Sequence, residues 1–183
     1  MIEFFLALVL LVLAGAIVVL FAMLGELAAR VGVTDENDSV TPLEEAHIGS
    51  VPEYWPGELM PLVEGGDGSV RIVVLSTACG SCESVARQLV EARENEEALQ
   101  AGVVVSCGDR RVGEDFVRRH ELERLATFID VGGDWVSGSF GVRTSPTGLV
   151  IRDGRLESAM VFTALNAFQV ATVGTQITEE VAA

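Results

Sequence analysis

Two cysteines stand three apart in LSTACGSCESV, residues 75 to 85, where a β-branched run stops and a helical pattern begins. Thiols at this spacing can form a redox pair, half a metal site or a structural staple. A metal site needs more ligands than this stretch offers. Neither His47 nor His120 falls at a spacing that completes one, so no metal and no cofactor is expected. A bridge closing so short a loop would constrain the unfolded chain very little, which argues against a staple. The strand-then-helix setting points to thiol–disulfide chemistry.

Helical spacing separates the roles of the two thiols. Cys82, Val85, Ala86 and Leu89 share one face, while Glu83, Arg87, Glu91 and Glu94 share the other, so Cys82 is predicted to face the core. Cys79 lies one turn earlier, at the strand-to-helix junction. Free N–H groups and the positive end of the helix dipole favour a thiolate there. Such positions lower a cysteine pKa from about 8.5 into roughly the 3.5–7.5 range, and the thiolate is the reacting species. Cys79 is therefore the expected attacker and Cys82 the expected resolver.

The elements that would hold this pair are legible on both sides of it. VRIVVLS (70–76) reads as a buried strand, followed by a helix from about Gly80 to Leu99 and a second buried strand, GVVVSC (102–107). A short helix is predicted over Glu114 to His120 and a strand over ATFID (126–130). GLVIRDGRLESAMVF (148–162) predicts two strands joined by a tight hairpin at Asp153-Gly154, and a closing helix covers Ala164 to Val173. Strands and helices alternate first and a hairpin ends the sheet, so the expected class is α/β with a mixed central sheet flanked by helices. Cys107 ends a strand parallel to the one before Cys79, where a third thiol could relay or regulate exchange, but a small buried apolar residue is the expected reading. His120, among RR pairs, is expected on a solvated helix face.

The chain as a whole is acidic: 27 Asp and Glu stand against 12 basic residues, all arginine, for a net charge of −15. It would repel a phosphate backbone, which excludes nucleic acid as a partner. The run from Phe4 to Leu24 carries no charge and no proline. At ~1.5 Å per residue it is long enough as a helix to cross about 30 Å of hydrocarbon. A cleaved signal is the weaker reading, because Glu3 stands where a basic residue should and the apolar run continues past Ala14-Gly15-Ala16. The sequence thus predicts a transmembrane anchor and flank over 1–30 and an acidic, proline-broken linker over 31–60 that tightens onto the domain near Tyr54-Trp55. A folded domain over 61–175 and a tail over 176–183 complete the division. Tyr54 and Trp55 are expected as packing residues. Arg30, offset by Glu26, gives the positive-inside rule too little charge to set an orientation.

Taken together, RIVVLSTACGSC and FIDVGGDWVSGSFGVRTSPTGLVIRDGRL resemble the thioredoxin superfamily, in particular its membrane-anchored TlpA, ResA and MauD-like branch. The second half of that pattern, roughly D, G, Y/F-G-V, P-T, a strand and D-x-G, is matched by Asp130, Gly132, Phe140-Gly141-Val142, Pro146-Thr147, Val150-Ile151 and Asp153-Gly154. The resemblance implies a thioredoxin fold behind one transmembrane helix, with an extra βα-type insertion over about Gly108 to Gly133. It implies that Pro146 is a cis-proline against the redox pair and that Ser145 offers backbone hydrogen bonds to an extended substrate. It also implies an extracytoplasmic redox domain, in keeping with the rule that cytosolic thiols are kept reduced.

The chain departs from the family at Ala78, where an aromatic residue often precedes the first cysteine, and at Val73, where thioredoxins carry a buried carboxylate. No general base for Cys82 is therefore legible. Gly80-Ser81 is neither the Gly-Pro of strong reductants nor the His-containing pair of strong oxidants, so the residues assign no redox direction. The expected function is a membrane-anchored thiol–disulfide oxidoreductase acting on the cysteines of a client protein and served by a redox partner protein. The alternative is a non-catalytic membrane assembly factor that uses the same fold to hold a partner.

Overall fold

The computed structural model describes residues 40–65, 68–94 and 101–180. The predicted anchor and its flank lie outside the described residues, as does the predicted end of the helix after Cys82. Among the described residues, no helix is long and apolar enough to cross a membrane.

The elements run in chain order as β1 (Val40–Pro42), α1 (Met60–Gly65), β2 (Ser69–Ser76), α2 (Gly80–Glu94), β3 (Ala101–Cys107) and α3 (Arg110–Arg119). After a 3₁₀ turn at Leu122–Arg124 come β4 (Thr127–Val131), α4 (Asp134–Phe140), β5 (Thr147–Arg152), β6 (Arg155–Phe162) and α5 (Leu165–Glu180). The six strands form one sheet in the order β1-β6-β5-β2-β3-β4. The β2–β3 and β3–β4 pairs are parallel, and the other three are antiparallel, which gives the mixed sheet that the pattern predicts.

Strand alternation divides the core between the two faces. Val73, Leu75, Val103 and Val105 pack with Cys82, Val85 and Leu89 of α2, with Phe116 of α3 and with Phe168 of α5. Ile72, Val74, Val104 and Leu149 pack on the opposite face with Leu59, Trp135 and Phe140. Helices therefore cover both faces, and the central strands read as continuous apolar runs for that reason.

Several boundaries differ from the sequence reading. The stretch read as a linker joins the sheet at Val40, where β1 pairs with the end of β6. Main-chain hydrogen bonds then strap it down, from Leu43 N to Ala159 O, His47 N to Phe140 O and Gly49 N to Leu156 O. Backbone contacts leave no side-chain period, so this docking is invisible to pattern. Trp55 packs beside Trp135, with ring centroids 5.9 Å apart, but the side chain of Tyr54 is exposed and only its carbonyl is used, accepting from Trp135 Nε1 at 2.9 Å.

Helix α3 begins at Arg110 rather than Glu114, because Asp109 caps it by accepting from Arg111 N at 2.8 Å. His120 is half-buried rather than on a solvated helix face. The helix ends before it, and its ring turns in against Phe116 with centroids 4.5 Å apart. The segment Gly108–Gly133 adds a helix and the edge strand β4 to the sheet. The closing helix runs to Glu180, past the boundary drawn at 175. Helix α4 has no counterpart in the sequence reading, since Ser137, Gly138 and Ser139 give it little intrinsic propensity.

Candidate active site

Three segments converge at the C-terminal end of β2. The strand delivers Thr77, Ala78 and Cys79; α2 begins at Gly80 and carries Cys82; and the loop before β5 carries Ser145 and Pro146. The antiparallel register pairs Val74 with Thr147, so the residues just before Thr147 fall opposite the end of β2. The Ser145–Pro146 peptide is cis, as the resemblance implied. Thr147 braces the loop by donating from Oγ1 to the Thr144 carbonyl at 2.7 Å, and Phe162 N donates to the Pro146 carbonyl at 3.5 Å.

Around the first thiol, Cys79 Sγ lies 3.2 Å from Ser81 Oγ and donates to the Ser145 carbonyl at 3.4 Å. Its own carbonyl accepts from Cys82 N at 3.2 Å, closing the first turn of α2. The second thiol is fully buried, and Cys82 Sγ accepts from Ser76 N at 3.4 Å. Both cysteines are free thiols here.

These surroundings push the two thiols in opposite directions. Partial burial raises Cys79, but hydrogen bonds from the Cys82 thiol, Ser81, the Cys82 backbone N–H and Ser145 outweigh it and hold its pKa below the ordinary value. Burial, and then its hydrogen bond to Cys79, push Cys82 up to about 12. Val73, in the position where a carboxylate was missed in the sequence, is fully buried in the apolar core beside Cys82. The reduced pair is thus a reactive outer sulfur and a protonated inner one.

Cys107 is buried, and burial raises its pKa. It packs under Gly113, where an added Cβ would stand 2.8 Å from Cys107 Sγ. This is the setting of a small core residue, as the sequence predicts. Glu83 is exposed on α2, turned outward as helix geometry requires.

Sequence reasoning gave Ser76 and Ser81 no contact with the two sulfurs, although each touches one, and placed Asp130 only as a motif match. Asp130 is buried, and its carboxylate accepts from Trp135 N at 3.1 Å and from Val136 N at 3.0 Å, fixing the start of α4. Asp130-Val131, then two glycines and Asp134 ahead of the apolar pair Trp135-Val136, was the available signal for that cap.

No family model matches the chain, and no curated protein matches it. Among solved structures it is similar to dsbF of MTB, at 13% identity over 59% of this chain and 79% of that one, with a TM-score of 0.47. It is also similar to a secreted Mycobacterium tuberculosis disulfide oxidoreductase homologous to E. coli DsbE, at 17% identity over 68% and 91% of the two chains and a TM-score of 0.47. StoA from Bacillus subtilis is similar at 15% identity, 71% and 96% coverage and a TM-score of 0.44.

Proposed function

We propose that this chain is a thiol–disulfide oxidoreductase of the TlpA, ResA and MauD-like kind, exchanging disulfides with the cysteines of a client protein. The observation that carries this reading is the asymmetry of the CGSC pair: a partly exposed sulfur at a helix start, beside a buried partner. Cys79 thiolate attacks a client disulfide, forms a Cys79–client mixed disulfide and releases one client thiolate. Loss of charge at Cys79 removes the hydrogen bond that raises Cys82. Cys82 can then deprotonate and attack Cys79, which forms the Cys79–Cys82 disulfide and releases the second client thiol. Two electrons pass from the protein dithiol to the client, and the reverse steps would oxidise it. The Ser145–Pro146 segment would hold the client's extended backbone across Cys79.

Removing the resolver tests this reading. Cys82→Ser should accumulate reductant-sensitive adducts in severalfold excess over Cys79→Ser, because the mixed disulfide then has no neighbouring thiol to release it. Purification without reductant and mass spectrometry would count the adducts and identify the client. Equal adducts from both variants would reverse the assigned roles, and none from either would favour the assembly-factor reading.

The anchored, extracytoplasmic placement belongs to the same proposal. It is supported by the apolar run Phe4 to Leu24 and by the compartment rule for disulfides. Alkaline phosphatase fused after Ala183 should be active in whole cells. An inactive fusion, with a cytoplasm-only reporter active at the same site, would place the domain inside.

A further inference from the structure

A cavity of about 450 Å³ opens on the side of the Ser145 loop facing Val74 and Val142. Its volume falls in the range of small-molecule sites, roughly 300–1,000 Å³. It lies one residue from the redox pair, because two of its lining residues touch that pair: the Ser145 carbonyl accepts from Cys79, and Ser76 N donates to Cys82. The wall is polar. Asp134 comes from the start of α4 and Arg143 from the loop that follows it, while Ser106 and Ser137 add hydroxyls. Both charged residues are exposed, and among the described residues none of these four side chains has a hydrogen bond or ion pair within the protein.

One free cation, one free anion and a set of hydroxyls match a ligand that carries both charges. A multiply charged anion would meet Asp134 and a net charge of −15. Resting on the redox reading of Cys79 and Cys82, we infer that this cavity seats the α-amino-acid head of a low-molecular-weight disulfide. Arg143 takes its carboxylate and Asp134 its ammonium, while the sulfur reaches over Ser145 to Cys79. Cystine is the simplest member of this class. Cys79 thiolate attacks one of its sulfurs and releases one cysteine. Cys82 displaces the second, so the protein dithiol becomes a disulfide, the substrate gains two electrons, and the two thiol protons pass to the two cysteines released.

The test is the oxidation rate of the reduced full chain by cystine, by cystamine, which lacks the carboxylates, and by hydroxyethyl disulfide, which lacks both charged groups. Cystine should react about tenfold faster than cystamine, the factor expected of one charge-assisted hydrogen bond. Long-range attraction works against this result, because the acidic protein draws the doubly cationic cystamine. In Arg143→Gln the cystine-to-cystamine ratio should fall to near one, and Asp134→Asn should slow both amine-bearing disulfides relative to hydroxyethyl disulfide. Equal rates for cystine and cystamine in the wild type, or an unchanged ratio in Arg143→Gln, would overturn the inference while leaving the redox reading intact. Failure of all three disulfides to yield a Cys79–Cys82 bridge would instead remove the redox reading on which it rests.

Discussion

Iodoacetamide at pH 7 should label Cys79 of the reduced protein at least about a hundredfold faster than Cys82, read by mass spectrometry of the two tagged positions. With a pKa of about 12, Cys82 is thiolate in only about one molecule in 10⁵ at that pH. Cys79 is held below 9.0, so its thiolate fraction exceeds about one in a hundred. The difference in fraction is thus more than about 10³. Nucleophilicity falls with pKa at a Brønsted slope of about 0.4–0.5, which over three units returns roughly 15- to 30-fold of this to Cys82. Complete burial of Cys82 then removes that advantage, because the reagent must reach the sulfur.

The pH profile carries a second expectation. Labelling of Cys79 should rise tenfold per unit at low pH and reach its midpoint at a lower pH than an unperturbed thiol, whereas labelling of Cys82 should still be rising there. Comparable rates at pH 7, or a Cys79 midpoint at or above that of an unperturbed thiol, would mean that the hydrogen bonds around Sγ do not set its reactivity.

The same linkage acts on stability. Cys82 has a folded pKa raised above its unfolded value, so folding favours its protonated form. Its contribution is complete below the unfolded pKa and is lost as pH rises from about 9 toward 12.

How much of this was legible in the residues depended on which chemical groups make each contact. The strands flanking Cys79 announced themselves because both faces are covered and their side chains are apolar throughout. The hairpin followed from Asp153-Gly154, which the structure holds at φ 51° and 76°, the paired positive angles of a tight turn. The partial exposure of Cys79 and the burial of Cys82 followed from one helical turn of spacing.

By contrast, the segment from Val40 to Gly49 joins the sheet through carbonyls and N–H groups that every residue possesses, so its sequence carries no record of that docking. Helix α4 depends on a carboxylate from outside it, Asp130, which a scan for local propensity does not credit. The cavity beside Ser145 draws on four chain segments at once. No single window of sequence contains it.

Gly148 opens the strand run GLVIRDGRLESAMVF, and the structure places it inside β5, a central strand, where glycine normally weakens the sheet. Its place is explained by Phe168. A Cβ on Gly148 would stand 2.2 Å from Phe168 Cε2 and 2.4 Å from Cδ2, inside any permissible contact. That ring is fully buried and stacks on Phe162 with centroids 5.2 Å apart, and its helix is tied to α2 where Leu165 N donates to Gln88 Oε1 at 2.8 Å. The ring has nowhere close to retreat.

Gly148→Ala should therefore destabilise the protein by about 3 kcal/mol, the upper part of the range for overpacking a core, as measured by urea denaturation. Phe168→Ala alone should cost about 3–5 kcal/mol through the cavity it leaves. The double variant should lose clearly less than the sum, because the new methyl enters space the ring has vacated. The strain would also reach the reacting thiol. Gly148 lies two residues after Pro146, so a displaced β5 moves the Ser145 carbonyl that contacts Cys79 Sγ, and Cys79 labelling should change in Gly148→Ala under conditions where the fold persists. A stability loss under about 0.5 kcal/mol, the level of ordinary surface substitutions, would show that α5 can lift from the sheet without penalty.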